Sequence, residues 1–119
     1  MSRSIVDDKA FKFAIRIVRL NQYLVTEKKG YVLSKQVLKS GTSIGANIRE
    51  ALEGQSKKDF IAKLSISLKE VAETQYWLEL LIATDYLDEK LGKSLLKDAT
   101  ELIKLLTSII KTSEQNPDF

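Results

Sequence analysis

The sequence predicts an all-α fold, an antiparallel up-down-up-down four-helix bundle formed as a single domain over residues 1–119. Three observations predict it. Apolar residues recur at helical spacing through nearly the whole chain, and no alternating strand pattern competes. The only proline, Pro117, stands in the C-terminal tail, so nothing breaks the interior. Glycines and cap residues divide the rest into four long segments with short connections.

Each element has its own signals. Ser4 with Asp7 resembles a capping box and opens helix 1, about 4–29. Gly30 is read as its C-terminal stop. Ser34 is the N-cap expected for helix 2, about 34–53, which Gly54 ends. Ser56-Lys-Lys-Asp59 is a clearer capping box and opens helix 3, about 57–84. Asp88 or a neighbour caps helix 4, about 88–112, and Glu89 suits its positive first turn. The tail 113–119 reads as frayed.

The helices are unequally amphipathic. Helix 4 has one apolar side, Leu91, Leu95, Ala99, Leu102, Leu106, Ile109 and Ile110, with its lysines opposite. Helix 1 has two stripes: Phe11, Ala14, Ile15, Val18 and Val25 form one, and Phe13, Ile17, Leu20 and Leu24 the other. Its charges, Lys9, Lys12, Arg16 and Arg19, fill the sector between them. In helix 3, Phe60, Leu64, Leu68, Val71, Leu78 and Ile82 make the seam, while Ile66, Trp77 and Leu80 project elsewhere. A helix of an isolated bundle needs one apolar face. A second stripe needs cover, and a neighbouring subunit is the economical one. Homo-oligomerisation is therefore the preferred reading, against a broad core face roofed by loops.

Composition narrows the chemistry. A chain of 119 residues, 44% hydrophobic and 29% charged, matches one soluble domain with a real core. It has no cysteine, so it has no disulfide framework and no thiolate chemistry. It has no histidine, which removes the commonest general base and metal ligand together. The N-terminus lacks the apolar core of a signal peptide, and no apolar run approaches the roughly 18 residues of a membrane span. A cytoplasmic protein without a membrane partner is expected. The net charge of +3 hides an asymmetry: residues 1–69 hold 14 Lys+Arg against 6 Asp+Glu, and residues 70–119 hold 5 against 10. Such a division marks either a polyanion-binding face or complementary surfaces that meet within the bundle or between subunits.

The most informative stretch is Ser40-Gly-Thr-Ser-Ile-Gly-Ala-Asn-Ile-Arg-Glu50. Wound at about 100° per residue, it puts Gly41, Ile44, Gly45 and Ile48 on one side and Ser40, Ser43, Asn47 and Glu50 almost opposite. Glycine inside a helix costs roughly 1 kcal/mol against alanine. Gly41 and Gly45, one turn apart, are therefore expected to admit a closely packed helix. The polar stripe is expected to join a network with other helices.

No phosphate loop, dinucleotide fingerprint or zinc-protease motif is present. The chain is not expected to be an enzyme, and no catalytic residue, metal ligand or cofactor is assigned. Glu50, Glu70 and Glu73 raise a weaker alternative, an all-carboxylate metal site. The preferred reading is a structural polar network of Ser43, Asn47, Glu50, Glu70 and Glu73, with Glu70 or Glu73 meeting Asn47, Ser43 or Arg49. Lys9, Lys12, Arg16 and Arg19, with Lys35 and Lys39 one turn apart on helix 2, are candidate phosphate contacts. A solvated helix face explains the same residues, and composition leaves both readings open.

Three segments carry a family resemblance. Ser43-Ile-Gly-Ala-Asn-Ile-Arg-Glu50, then Ser56-Lys-Lys-Asp-Phe60, then Lys69-Glu-Val-Ala-Glu-Thr-Gln-Tyr-Trp-Leu78 resemble the bacterial "four helix bundle protein" family. Its founding members are encoded in intervening sequences of 23S rRNA genes. Thr42 and Ser43 occupy its hydroxyl-rich turn, Asn47 and Glu50 match its Asn and Glu, and Ala51 stands where glycine is common. The resemblance covers about residues 10–112. It implies an up-down-up-down bundle assembled as a ring-shaped homopentamer. It also implies kinship with the accessory protein of diversity-generating retroelements, a basic pentameric barrel that binds a reverse transcriptase and nucleic acid. Family members otherwise lack an established activity.

Two functions of different class follow as expectations. The first is a non-enzymatic oligomer associated with RNA, or with an RNA-handling protein, as an accessory. The second is a protein-interaction scaffold that binds no nucleic acid.

Overall fold

Four helices make up nearly all of residues 2–116, the part of the chain described in the computed structural model: α1 (Ser2–Thr26), α2 (Tyr31–Leu52), α3 (Lys57–Ala83) and α4 (Glu89–Gln115). Each packs on the two helices next to it in chain order, with α4 closing back on α1, in a rod of about 50 × 21 × 20 Å. The α2–α3 contact is the most extensive and α1–α4 the thinnest. The fold is an all-α four-helix bundle.

Two of the expected caps form. The Ser56 side chain accepts from the Asp59 N–H at 3.0 Å, and Asp88 accepts from the Leu91 N–H at 3.0 Å. The other boundaries differ from expectation. Helix α1 already begins at Ser2, so Ser4 lies inside it, and Asp7 turns to Arg49 on α2. Gly30 is not the left-handed stop of α1. Lys29 takes that conformation (φ 54), and Gly30 at φ −87 serves as the N-cap of α2. Glycine leaves room there for the Tyr86 ring, which would stand 3.1 Å from a Cβ and would have to give by a few tenths of an ångström. Ser34, expected as that cap, is instead buried in the first turn. Its hydroxyl donates to the Tyr31 carbonyl at 3.0 Å, and its own carbonyl accepts from Asn21 Nδ2 of α1 at 3.2 Å. Ser34 therefore ties α2 to α1. At the end of α3, Asp85 is left-handed (φ 65), and the Tyr86 N–H reaches the Leu81 carbonyl at 3.0 Å, the Schellman closure. Helix α4 outruns its expected end. Ser113 is buried, and Lys57 Nζ donates to the Asn116 carbonyl at 2.7 Å, which fastens the helix end to the start of α3. Pro117 and the rest of the expected tail lie outside the described residues.

The core takes one stripe of each helix. Phe13, Ile17, Leu20 and Leu24 of α1 are buried, joined by Val6 and Ala10. The expected seams of α3 and α4 are largely interior, except that Leu91 is exposed. Three small polar residues are buried at the α2–α3 seam. The Ser67 hydroxyl donates to the Ile44 carbonyl at 2.9 Å, and the Thr74 hydroxyl lies 2.9 Å from Ser40 Oγ and 2.7 Å from the Glu70 carbonyl. No buried side-chain polar atom among the described residues lacks a partner. The hydroxyls thus fix register without an orphaned group.

The two glycines of α2 differ in what surrounds them. A Cβ on Gly41 would stand 2.8 Å from Ile17 Cγ2 and 2.9 Å from its Cγ1. One on Gly45 would meet Ala10 Cβ at 3.7 Å, an ordinary contact. Opposite outcomes follow for the same substitution. Gly41→Ala should overpack the α1–α2 seam and lower stability by about 1–3 kcal/mol, outweighing its helix-propensity gain. Gly45→Ala should raise stability by about 0.5–1 kcal/mol. Urea unfolding of both variants checks the signs, and equal shifts would refute the distinction.

Candidate functional site

The basic residues proposed for phosphate contact do not form one surface. Three of them face carboxylates. Arg16 Nη1 lies 2.6 Å from Asp98 Oδ2 on α4, with Arg16 Nη2 donating to Ser94 Oγ at 3.2 Å. Lys9 reaches Glu101 of α4 at 3.6 Å, and Lys12 meets Asp8 one turn back on α1 at 3.0 Å. Lys9 and Arg16 therefore line the outer edge of the α1–α4 seam, where carboxylates of the acidic half neutralise them. Arg19, Lys35 and Lys39 are exposed, and among the described residues no carboxylate lies within 4 Å of their nitrogens. Lys35 and Lys39 stand on α2, which does not touch α4, so they are on a different side from Lys9 and Arg16.

The expected polar network of Ser43, Asn47, Glu50, Glu70 and Glu73 is not brought together. Ser43 and Asn47 bond backward along their own helix, to the Lys39 and Ser43 carbonyls, at 2.7 and 2.8 Å. Glu50 accepts from Lys63 Nζ at 2.9 Å, which holds the lysine above its ordinary pKa. Arg49 turns to α1: its Nε donates to Asp7 Oδ1 at 2.9 Å, and its guanidinium lies 5.1 Å from the Phe11 ring centre. Glu73 accepts from the Trp77 indole N–H at 3.1 Å. Burial first, and then the adjacent Glu73 charge, push the half-buried Glu70 carboxyl above its usual pKa, against the pull of Lys39. Polar contact across the α2–α3 seam runs instead through the Glu50–Lys63 pair at its surface and through Ser40, Thr74 and Ser67 in its interior; of these, Ser40 and Glu50 lay on the stripe singled out. Thr74 and Ser67 were legible at core spacing on helix 3, but small hydroxyl residues do not score in an apolar pattern. Among the described residues, no three acidic groups converge where a metal ion could be held.

Two surface features remain. The second stripe of α1 lies open: Phe11 is 51% exposed, Ile15 and Val18 40% each, with Val25 beyond them. Next to it runs a cleft of about 370 Å³ between α1 and α2, floored by Ala14, Gly45, Ala46 and Thr42 and edged by the Phe11–Arg49–Asp7 cluster. The other feature went ungrouped in the sequence. Lys90, Lys93, Lys97, Lys104 and Lys111 are exposed and fall within about 60° on the outside of α4. Their spacing was readable, but the net negative charge of that half of the chain obscured it. Among the described residues, no helix is long and apolar enough to cross a membrane.

The family of 23S rRNA-intervening sequence proteins matches residues 2–108. The chain belongs to that family. A crystal structure of a protein of unknown function from the S23 ribosomal protein family of Bacteroides thetaiotaomicron superposes with a TM-score of 0.92 at 58% sequence identity, covering 93% of this chain and 99% of that one. No curated protein matches. Family membership fixes the fold and brings no described activity with it, so the surfaces above carry the functional reading.

The ion pair at the α1–α4 seam is testable. Arg16→Glu sets a carboxylate against Asp98 and should lower stability by about 1 kcal/mol, in a salt-dependent way. Asp98→Lys in the same chain should restore most of it. Denaturant unfolding of the two variants decides; a neutral Arg16→Glu would show that the pair contributes nothing.

Proposed function

We propose that this protein is a non-enzymatic, self-associating scaffold, a bundle whose outer helix faces bind other protein surfaces. The single observation that carries this reading is the exposed apolar stripe of α1. Such a stripe on a small domain is costly to leave in water, at about 25 cal/mol per Å². Its neighbours favour a contact surface: a shallow cleft with a small-residue floor, rimmed by an aromatic ring and a guanidinium, is a composition that interfaces favour. The resemblance supplies the number of copies, five. The pairing of Lys9, Lys12 and Arg16 with carboxylates weighs against the first expectation, an RNA face on α1.

A second reading keeps RNA association and moves it. Of the lysine row of α4 only Lys93 has a carboxylate within 4 Å among the described residues, Glu89 one turn back at 2.9 Å, and repetition in an oligomer would multiply the row. Binding there would be salt-sensitive and indifferent to sequence. Filter retention of a single-stranded RNA at low and moderate salt, with Lys93, Lys97 and Lys104 all changed to Glu as the control, tests it. Retention that is unchanged in that variant would remove the α4 surface from consideration.

For the scaffold, the expected result is direct. Wild type at micromolar concentration should scatter light as an oligomer. Ile15→Glu should dissociate it while leaving its helical circular dichroism intact, since Ile15 is not part of the core. A wild-type particle of 13.5 kDa would sink the reading.

A further inference from the structure

We infer that the outer stripe of α1 on one copy docks against the outer stripe of α3 on the next, so that the contact is head-to-tail and not self-matched. This rests on the self-association proposed above and names the two surfaces that meet.

Among the described residues, exposed apolar side chains also form a stripe on α3. Besides Phe11, Ile15, Val18 and Val25 on α1, α3 presents Ile66 at 42% exposure and Tyr76 at 61%, with half-buried Trp77 and Leu80 beside them. Tyr76 and Trp77 pack edge to face at 5.2 Å. Helix α2 separates the two stripes, since it packs on both α1 and α3. A two-fold contact of α1 with another α1 would leave the α3 stripe in water. A head-to-tail contact covers both stripes with one interface and repeats around a ring.

Their dimensions agree. Phe11 to Val25 and Ile66 to Leu80 each rise about 21 Å along a helix. Laid end to end in either direction, the two stripes bring Arg19 level with residues 72–74, beside Glu73. The same superposition of antiparallel α1 on α1 puts Arg19 next to Arg19.

Charge decides between the two arrangements. Arg19 is the cation at the middle of the α1 stripe and has no carboxylate partner within 4 Å among the described residues. Glu73 is the anion at the middle of the α3 stripe, held by the Trp77 N–H at 3.1 Å. Among the described residues, neither Glu73 nor the nearby Glu70 has a Lys or Arg nitrogen within 4 Å. Two carboxylates in contact with no cation, although Lys69 lies one turn before Glu73 and Lys39 pulls on Glu70 from α2, face a guanidinium in contact with no anion, and the two are complementary. Head-to-tail docking joins them, and the self-matched contact opposes like charges.

A charge swap tests this. Arg19→Glu, Glu73→Arg and the double variant carrying both changes in one chain are compared with wild type by sedimentation, with circular dichroism to confirm folding. Both side chains are exposed, so the fold should survive each change. Each single variant should weaken assembly by roughly ten- to a hundredfold, and the double variant should reassemble close to wild type. A wild-type oligomer indifferent to both single changes, or a double variant no better than the worse single, overturns the head-to-tail contact and leaves the scaffold standing. A monomeric wild type overturns the scaffold and this contact together.

Discussion

The contact of Ile17 with Gly41 sets the rotation of α1, and much of the surface follows from that rotation. With no Cβ at Gly41, the Ile17 side chain lies directly against the α2 backbone, and Ile17 is fully buried. A helix pinned at that point has its remaining residues fixed at about 100° per step. Phe13, Leu20 and Leu24 turn inward with Ile17. Lys9 and Arg16 turn toward α4, where Glu101 and Asp98 wait. Phe11, Ile15 and Val18 turn outward. The exposed stripe is therefore not a leftover of poor packing. A rotation that buried it would carry Phe13 and Ile17 into solvent and turn Lys9 and Arg16 away from their carboxylates on α4.

The seams are held by different physics. Between α2 and α3, buried hydroxyls bond across the interface, and directional bonds of this kind tolerate no slip in register. Between α1 and α4, contact is thin and ion pairs lie along its edge. Half-exposed pairs of this kind are worth only about 0.2–1 kcal/mol each and weaken with salt. The α2–α3 pair is thus the rigid half of the bundle, and α1–α4 the seam that yields first to a change of charge.

How legible this was depended on the scale of the feature. The bundle, its four helices and most of its core followed from periodicity, because burial of an apolar stripe depends on many residues at once. The Ser56 and Asp88 caps followed from local chemistry that needs nothing beyond the next turn. Ser34 misled because a serine ahead of an apolar helical run suits an N-cap, whereas here a bond from Asn21 to its carbonyl fixes it inside the helix. Lys29 was not a foreseeable left-handed residue, because the space beside Tyr86 claims the glycine one place later. The site was less legible than the fold. Asn47 and Glu50 both look by residue type like partners for other helices, but only Glu50 makes such a bond, because partners are chosen by distance. Asn47 found a carbonyl one turn back, and Glu50 found Lys63.

The charge division along the chain shows the same dependence on distance. Its two halves are basic and acidic, yet the surface does not divide at residue 69, because an antiparallel bundle lays the first helix beside the last. Lys9 and Arg16 from the basic half lie against Glu101 and Asp98 from the acidic half, and both charges are spent inside one molecule. Unspent charge appears where each helix faces away from its neighbours: Lys90, Lys97, Lys104 and Lys111 outside α4, in the half counted as acidic, Lys35 and Lys39 outside α2, and Arg19 on the open stripe of α1. Arg19 differs from the others in its setting. The lysines stand on polar helix faces where water solvates them fully, whereas Arg19 borders Val18, Ile15 and Phe11. A guanidinium beside an apolar strip loses little hydration when that strip is covered and gains a fixed partner if the covering surface carries a carboxylate. Set against the lysines outside α4 and α2, Arg19 has surroundings that favour a protein surface over solvent.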